Sequence, residues 1–256
     1  MGLMVLIVLA PIDLLLRKRP EDIGLRPDGD AVPHASAKAV SNIVDSAWAG
    51  TDWTLPRALR TARFWWIALG YFCGLYMWYA VQVHQTKFLI DIGFSANVGV
   101  WALGVVSLLG IPGQIVLGHA SDRIGREAIW TIASLGFAIC YAALVALKYE
   151  PSLWLVYLMV LTQGALGYGL TSIMGAVVLE IFQGPHYGSI FGTIMIAALA
   201  GGAAGPWVTG LLHDVTGDYT IAFAIGIAVS LLSAFAIWQA SPGKVRAVAG
   251  KLQPTG

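Results

Sequence analysis

Six apolar runs, roughly 64–86, 96–118, 128–147, 153–179, 188–212 and 219–239, dominate the chain, and no carboxylate lies in the middle of any of them. Each has the ~20 residues that a helix needs to cross a hydrocarbon core of ~30 Å. Lipid leaves no backbone group unpaired, so such runs cross as helices. Composition agrees: 57% of residues are hydrophobic and 11% charged, against about 45–50% and about 25% in soluble domains. A water-facing surface cannot be built from that balance.

A seventh apolar stretch, Met1 to Leu16, is too short to span comfortably. Its cations, Arg17, Lys18 and Arg19, follow it, whereas a signal peptide carries its charge in front. It reads as the second half of a helix whose beginning is missing. The remaining cations set the expected orientation. Arg17, Lys18, Arg19, Arg26, Lys38, Arg57, Arg60 and Arg63, then Arg123 and Arg126, then Lys244, Arg246 and Lys251 fall on one side, and only Lys87 and Lys148 on the other. The positive-inside rule makes the first side cytoplasmic, carboxyl end included. Lys87 reads as a snorkelling interfacial lysine balanced by Asp91. Cys73 and Cys140 lie inside apolar runs and read as small buried hydrophobes, not a disulfide.

Residues 17–63 form the one long polar stretch, with Pro20, Pro27, Gly29 and Pro33, and predict a cytoplasmic linker. Its end differs: Thr54 can cap a helix with Pro56 in its first turn, and Arg57, Arg60 and Arg63 recur beside Leu55, Leu59 and Phe64. The pattern predicts an interfacial helix near 54–63 with its arginines on headgroups, either a plain anchor or a lipid-responsive one. The domain organisation expected is 1–16, a helix remnant; 17–63, the linker; 64–240, a six-helix bundle; and 241–256, a cytoplasmic tail.

Between the second and third runs stands GHASDRIGRE, residues 118–127. Gly118 is expected to end one helix, Gly125 to allow a tight reversal, Asp122 to cap or face a helix start, and Arg123 and Arg126 to stay in headgroup water. The whole pattern resembles the signature loop of the major facilitator superfamily of secondary transporters, at the position between that family's eighth and ninth helices. Glu127 departs from the second basic residue usual there. In GTIMIAALAGGAAGPWVTG, Gly192, Gly201, Gly205, Pro206 and Gly210 resemble the superfamily's glycine-proline motif, here in the eleventh helix, with Thr209 replacing one glycine. Small residues four apart let helix backbones approach in lipid, and a proline allows a kink. LRKRPEDIGLRPDGD, WTLPRALRTARFW, ALGYGLTSIMGAVVLEIFQGPHYGSIFG and GPWVTGLLHDVTGDYTIAF look like the second half of bacterial carriers of the monocarboxylate and oxalate:formate branch.

The resemblance implies an all-α integral membrane fold, the six-helix carboxyl-terminal bundle of a 3+3 inverted repeat whose first helices line a central cavity. On those helices the candidate solute-binding residues are Tyr76, Tyr79, Gln82, His84, Gln163, Tyr168 and Thr171. The candidate gating residues are Gly118, Asp122, Arg123, Gly125, Arg126, Gly201, Gly205 and Pro206, with Glu180 expected to pair with Arg123 or Arg126. The implied activity is secondary transport, antiport or symport, of a small organic solute such as a monocarboxylate or dicarboxylate by alternating access, as one half of a twelve-helix carrier. Members that carry small carboxylates commonly present an arginine in the eighth helix; residues 96–118 contain none. A competing class is a non-transporting membrane scaffold or sensor derived from such a half. The implied partners are the solute, the bilayer of the inner or plasma membrane, and an absent amino-terminal six-helix half. No cofactor, metal or nucleic-acid partner is expected: there is no HExxH, GxSxG or phosphate-cradling loop, and His34, His84, His119, His186 and His213 are scattered.

Overall fold

The computed structural model of the chain describes residues 42–251. The expectations for 1–16, for the linker before residue 42 and for the tail beyond residue 251 lie outside the described residues.

Two single turns come first, α1 (Ser46–Ala49) and α2 (Leu55–Ala58). The interfacial helix expected over 54–63 is reduced to α2. Thr54 makes no side-chain cap. Thr61 does: its hydroxyl donates to the Ala58 carbonyl at 2.7 Å and accepts from the Phe64 N–H at 3.3 Å, closing one helix and opening the next. Arg57 and Arg60 are exposed, but Arg63 lies 4.2 Å over the Trp48 ring instead of reaching out. Trp48 in turn donates through Nε1 to the Ile181 carbonyl at 2.9 Å, and Trp53 packs edge-on to Phe182.

Among the described residues, six helices long and apolar enough to cross a membrane follow. They are α3 (Ala62–Asp91), α4 (Ala96–Ile124), α5 (Arg126–Tyr149), the pair α6 (Leu153–Leu161) and α7 (Gly169–Ile181), α8 (Tyr187–Thr216) and α9 (Thr220–Ala240). Between α6 and α7 the helix opens into a π turn, Thr162–Gly167, without leaving its axis as a span. The longest, at 30 residues, reach about 45 Å at 1.5 Å per residue, more than the ~30 Å of a hydrocarbon core. Hence the ends lie outside the sequence boundaries. Gly118 does not end a helix; α4 continues to Ile124 and stops at Gly125, whose φ of 103° favours glycine. Cys73 and Cys140 are free and buried, as expected.

Packing follows an exchange rule. α3 packs along α8 and α9; the α6–α7 span packs along α4 and α5; α5 and α9 pack on each other. The first helix of each three-helix set therefore contacts the second and third of the other set, as a 3+3 repeat requires. Two close approaches hold it. A Cβ on Gly201 would lie 2.0 Å from the Phe72 carbonyl oxygen, and one on Gly205 would lie 2.4 Å from that of Tyr76. Across the pseudo-symmetry a Cβ on Gly113 would lie 2.5 Å from the Ala165 carbonyl oxygen. Small residues let these backbones touch.

At the end of the bundle opposite the charged loop, Lys148 on α5 binds Asp218, between α8 and α9, at 2.5 Å, and also Thr220 at 3.0 Å. The hydrogen bond from Lys148, helped by those from Thr220, lowers the Asp218 carboxyl to about 2. Its contribution to stability is present above the ordinary carboxylate value of ~3.9 and is lost as pH falls through about 2. We expect Asp218→Asn to lower the apparent thermal midpoint in detergent at neutral pH, and the difference from wild type to close as the pH approaches 2. A constant difference across that range would exclude the linkage.

Candidate functional site

The π turn stands in the middle of its 29-residue span, where a broken helix exposes polar backbone and where transporter sites lie. Its sequence, TQGALG, explains the break: a Cβ on Gly164 would lie 2.8 Å from the Val106 carbonyl oxygen, and one on Gly167 would meet the Phe137 ring at 2.7 Å. Glycine thus seats the turn between α4 and α5. Gln163, 1% exposed, is carried inward, and its Nε2 donates to Gln82 Oε1 on α3 at 3.0 Å. Cys140 lies behind, its Sγ 3.9 Å from Gln163 Oε1. One turn and a half along α3, Tyr76 is 6% exposed and its hydroxyl has no hydrogen-bond partner. Tyr168 packs on Trp78, ring centroids 4.3 Å apart.

Of the expected solute-binding residues, Gln82 and Gln163 meet directly, and Tyr79, Thr171 and His84 make other contacts. Tyr79 is 45% exposed and lies against Gly202 of α8. Thr171 is exposed and its hydroxyl is spent on the Tyr168 carbonyl at 2.8 Å. His84 is used structurally: Nε2 meets the Pro206 carbonyl at 3.0 Å, and Nδ1 meets the Tyr219 hydroxyl at 3.3 Å. A carbonyl only accepts, so Nε2 carries the proton that reaches Pro206. That bond ties α3 to the kink-prone segment of α8. Gln85 is the residue of this region whose burial the sequence did not reveal: it is wholly buried, with neither amide atom partnered.

The charged loop forms a second cluster. Glu180 Oε1 accepts from Arg126 Nε at 2.8 Å, both side chains about seven-eighths buried. Asp122 holds the same guanidinium at 2.6 Å, and Ser121 accepts its remaining terminal nitrogen. Two expectations change here: Asp122 serves as an ion-pair partner, not a cap, and Arg126 is drawn inward instead of staying in headgroup water. Glu180, expected opposite Arg123 or Arg126, takes Arg126 and leaves Arg123 exposed. The reason is the reversal at Gly125, which ends α4 just after Asp122 and starts α5 at Arg126, so the two side chains meet across it. Glu127, which departs from the usual loop pattern, is 7% exposed and accepts from the Gly243 N–H at 2.7 Å. It caps the returning tail. No sequence signal marks that role, because Gly243 lies 116 residues away. Among the described residues no group of three or more His, Cys, Asp or Glu side chains could hold a metal.

Two comparisons bear on this arrangement. The chain is 25% identical over 170 residues, 64% of its length, to an uncharacterized MFS-type transporter, YhjX, of Escherichia coli (strain K12). It spans about two fifths of that relative, 39%. The family model described as Major Facilitator Superfamily matches residues 1–175 and again 68–255. With six apolar spans packed by the exchange rule and the charged loop closed on Glu180, this multi-pass membrane chain belongs to the Major Facilitator Superfamily.

Proposed function

We propose that the chain forms the carboxyl-terminal half of a twelve-helix carrier that moves a small organic solute by alternating access, with the solute meeting the Gln82–Gln163 cluster. The observation that carries this reading is that cluster itself: the buried Gln163 amide joined at 3.0 Å to the half-buried Gln82 of α3, at the π turn. Polar groups at that depth are costly unless used. Relationship to an MFS-type transporter supports it. The faces left for an amino-terminal half are those of α4 and α8, whose apolar windows are 22% and 28% buried against 67% for α3. Val100, Leu108 and Ile111 on α4 and Leu199 and Trp207 on α8 point outward. The cluster contains no charged side chain. A monocarboxylate or dicarboxylate would thus be oriented here through its neutral portion and draw its counter-charge from the other half. The arginine-bearing turns are proposed to face the cytoplasm, and Arg126–Glu180 to belong to the inner gate.

The test is saturable uptake of labelled small organic acids and neutral polar solutes by cells supplying this chain with a six-helix amino-terminal half of the same family. Gln82→Ala with Gln163→Ala should reduce uptake. Absence of saturable uptake, with the chain shown to be in the membrane, would instead favour a scaffold or sensor. Tyr76→Phe separates binding from folding. It removes an unpartnered buried hydroxyl, so stability is unchanged or rises by about 1 kcal/mol. If the hydroxyl meets solute, KM rises; an unchanged KM removes Tyr76 from the site.

A further inference from the structure

At the charged-loop end a second pocket, of about 230 Å³, opens between α7, the start of α5 and the tail. Its polar wall is made by Arg246, Arg126, Glu180, Gln183 and Asn42, and its lip by Ala176 and Leu179. Arg246 arrives there because the tail turns back after α9 and bridges antiparallel to Ile43; the Ala247 N–H donates to the Asn42 carbonyl at 2.7 Å. The Arg246 side chain is the unusual member. The residue is 8% exposed, its Nε has no acceptor, and it makes no ion pair among the described residues. A buried N–H donor left without an acceptor costs free energy until it is paired. Arg126 cannot share its anions, since Glu180 Oε1, Asp122 and Ser121 already bind it. A second orphan faces the same space: Glu180 Oε2 is buried and accepts from nothing. Asp122 and Glu180 already balance the Arg126 charge, so the unanswered groups facing this space are the Arg246 Nε donor and the Glu180 Oε2 acceptor.

We propose that this pocket binds a phosphate-type oxyanion that also carries a hydroxyl. Its oxygens accept from the Arg246 fork, which suits planar oxyanion geometry, and its hydroxyl donates to Glu180 Oε2. The Gln183 and Asn42 amides complete the wall. Both orphans are then satisfied by one ligand. The volume lies below the about 300–1,000 Å³ of pockets for drug-sized ligands, which suits an inorganic anion or a headgroup. Two sources share this chemistry: inorganic phosphate bearing a P–OH, and the phosphoglycerol headgroup of an anionic phospholipid, whose acyl chains would leave over Ala176 and Leu179.

The experiment measures binding to the full chain in neutral detergent by calorimetry and thermal shift, with phosphate, with sulfate, and with phosphatidylglycerol against phosphatidylcholine. Phosphate binding tighter than sulfate identifies a free anion, and a response to phosphatidylglycerol alone identifies a lipid. In either case Arg246→Gln should weaken binding about tenfold or more. Should Arg246→Gln fail to fold, Arg246→Lys, which keeps the charge but loses the fork, should still weaken it severalfold. The proposal is overturned if neither phosphate nor phosphatidylglycerol binds, if sulfate matches phosphate while phosphatidylglycerol matches phosphatidylcholine, or if a folded Arg246 variant binds as wild type does.

Discussion

Gly201→Ala lowers the unfolding free energy by about 3 kcal/mol, the upper end of the range for overpacked cores. The added methyl would lie 2.0 Å from the Phe72 carbonyl oxygen. That atom is helix backbone and cannot rotate away, so α8 must move off α3 along its length. The bond from His84 to the Pro206 carbonyl, one turn further on, would lengthen with it. Gly192→Ala is the matched control. It lies on the same helix with nothing within 4 Å of its Cβ position, so alanine should be neutral or stabilise by up to about 1 kcal/mol through helix propensity. Unfolding midpoints of the two variants in one detergent decide the matter. Equal responses would show that the contact is not the origin of the glycine.

Arg126→Met has the other large expected effect. It leaves the Glu180 carboxylate, 13% exposed, without its only donor among the described residues. Removing one member of a buried pair costs about 3–5 kcal/mol. Met at both positions should recover most of that loss, because an apolar pair leaves no buried charge, and the double-mutant cycle should give a coupling of about 1–3 kcal/mol. Additive single effects would mean the pair is not energetically joined. On the proposed carrier cycle, the stable double variant should also shift the balance between inward-open and outward-open states, since the pair would bind only while the inner gate is shut. Accessibility labelling of a cysteine placed at Ser172 reads that shift separately from stability.

Much of this fold was legible in the chain. Six runs of apolar residues without internal charge can only be spanning helices, because lipid offers backbone groups no other partner. Gly125 as the reversal, Glu180 opposite the loop, and the close contact at Gly201 and Gly205 were legible for a similar reason: each depends on a residue type that few others can replace. The helix expected over 54–63 was read from its spacing, but Thr61 ends one helix and opens the next through bonds to Ala58 and Phe64, and Arg63 finds the Trp48 ring. The break is a local capping event; the Arg63 contact is made through the fold.

His84 and Thr171 show the limit for site residues. Both stand on the helices expected to line a cavity, yet His84 braces α8 through Pro206 and Tyr219, and Thr171 bonds its own backbone. Polarity at mid-membrane depth marks a residue as used, without saying by what. Conversely, Gln82 and Gln163 are 81 positions apart, and only the packing of α3 against the π turn makes them one pair. Arg246 is the extreme case, a tail residue indistinguishable in sequence from any positive-inside anchor.

By itself, then, the sequence determined the six spans of the described residues, the charged and glycine-rich places where helices turn or touch, and the family, because these rest on hydrophobicity and on the presence or absence of a side chain. The tertiary structure alone decided which polar groups meet: Arg126 with Glu180, Gln163 with Gln82, Glu127 with Gly243. Those pairings are set by helix rotation and by chain returns of up to 116 residues. A one-dimensional pattern carries the period of each helix but not its angle to the next.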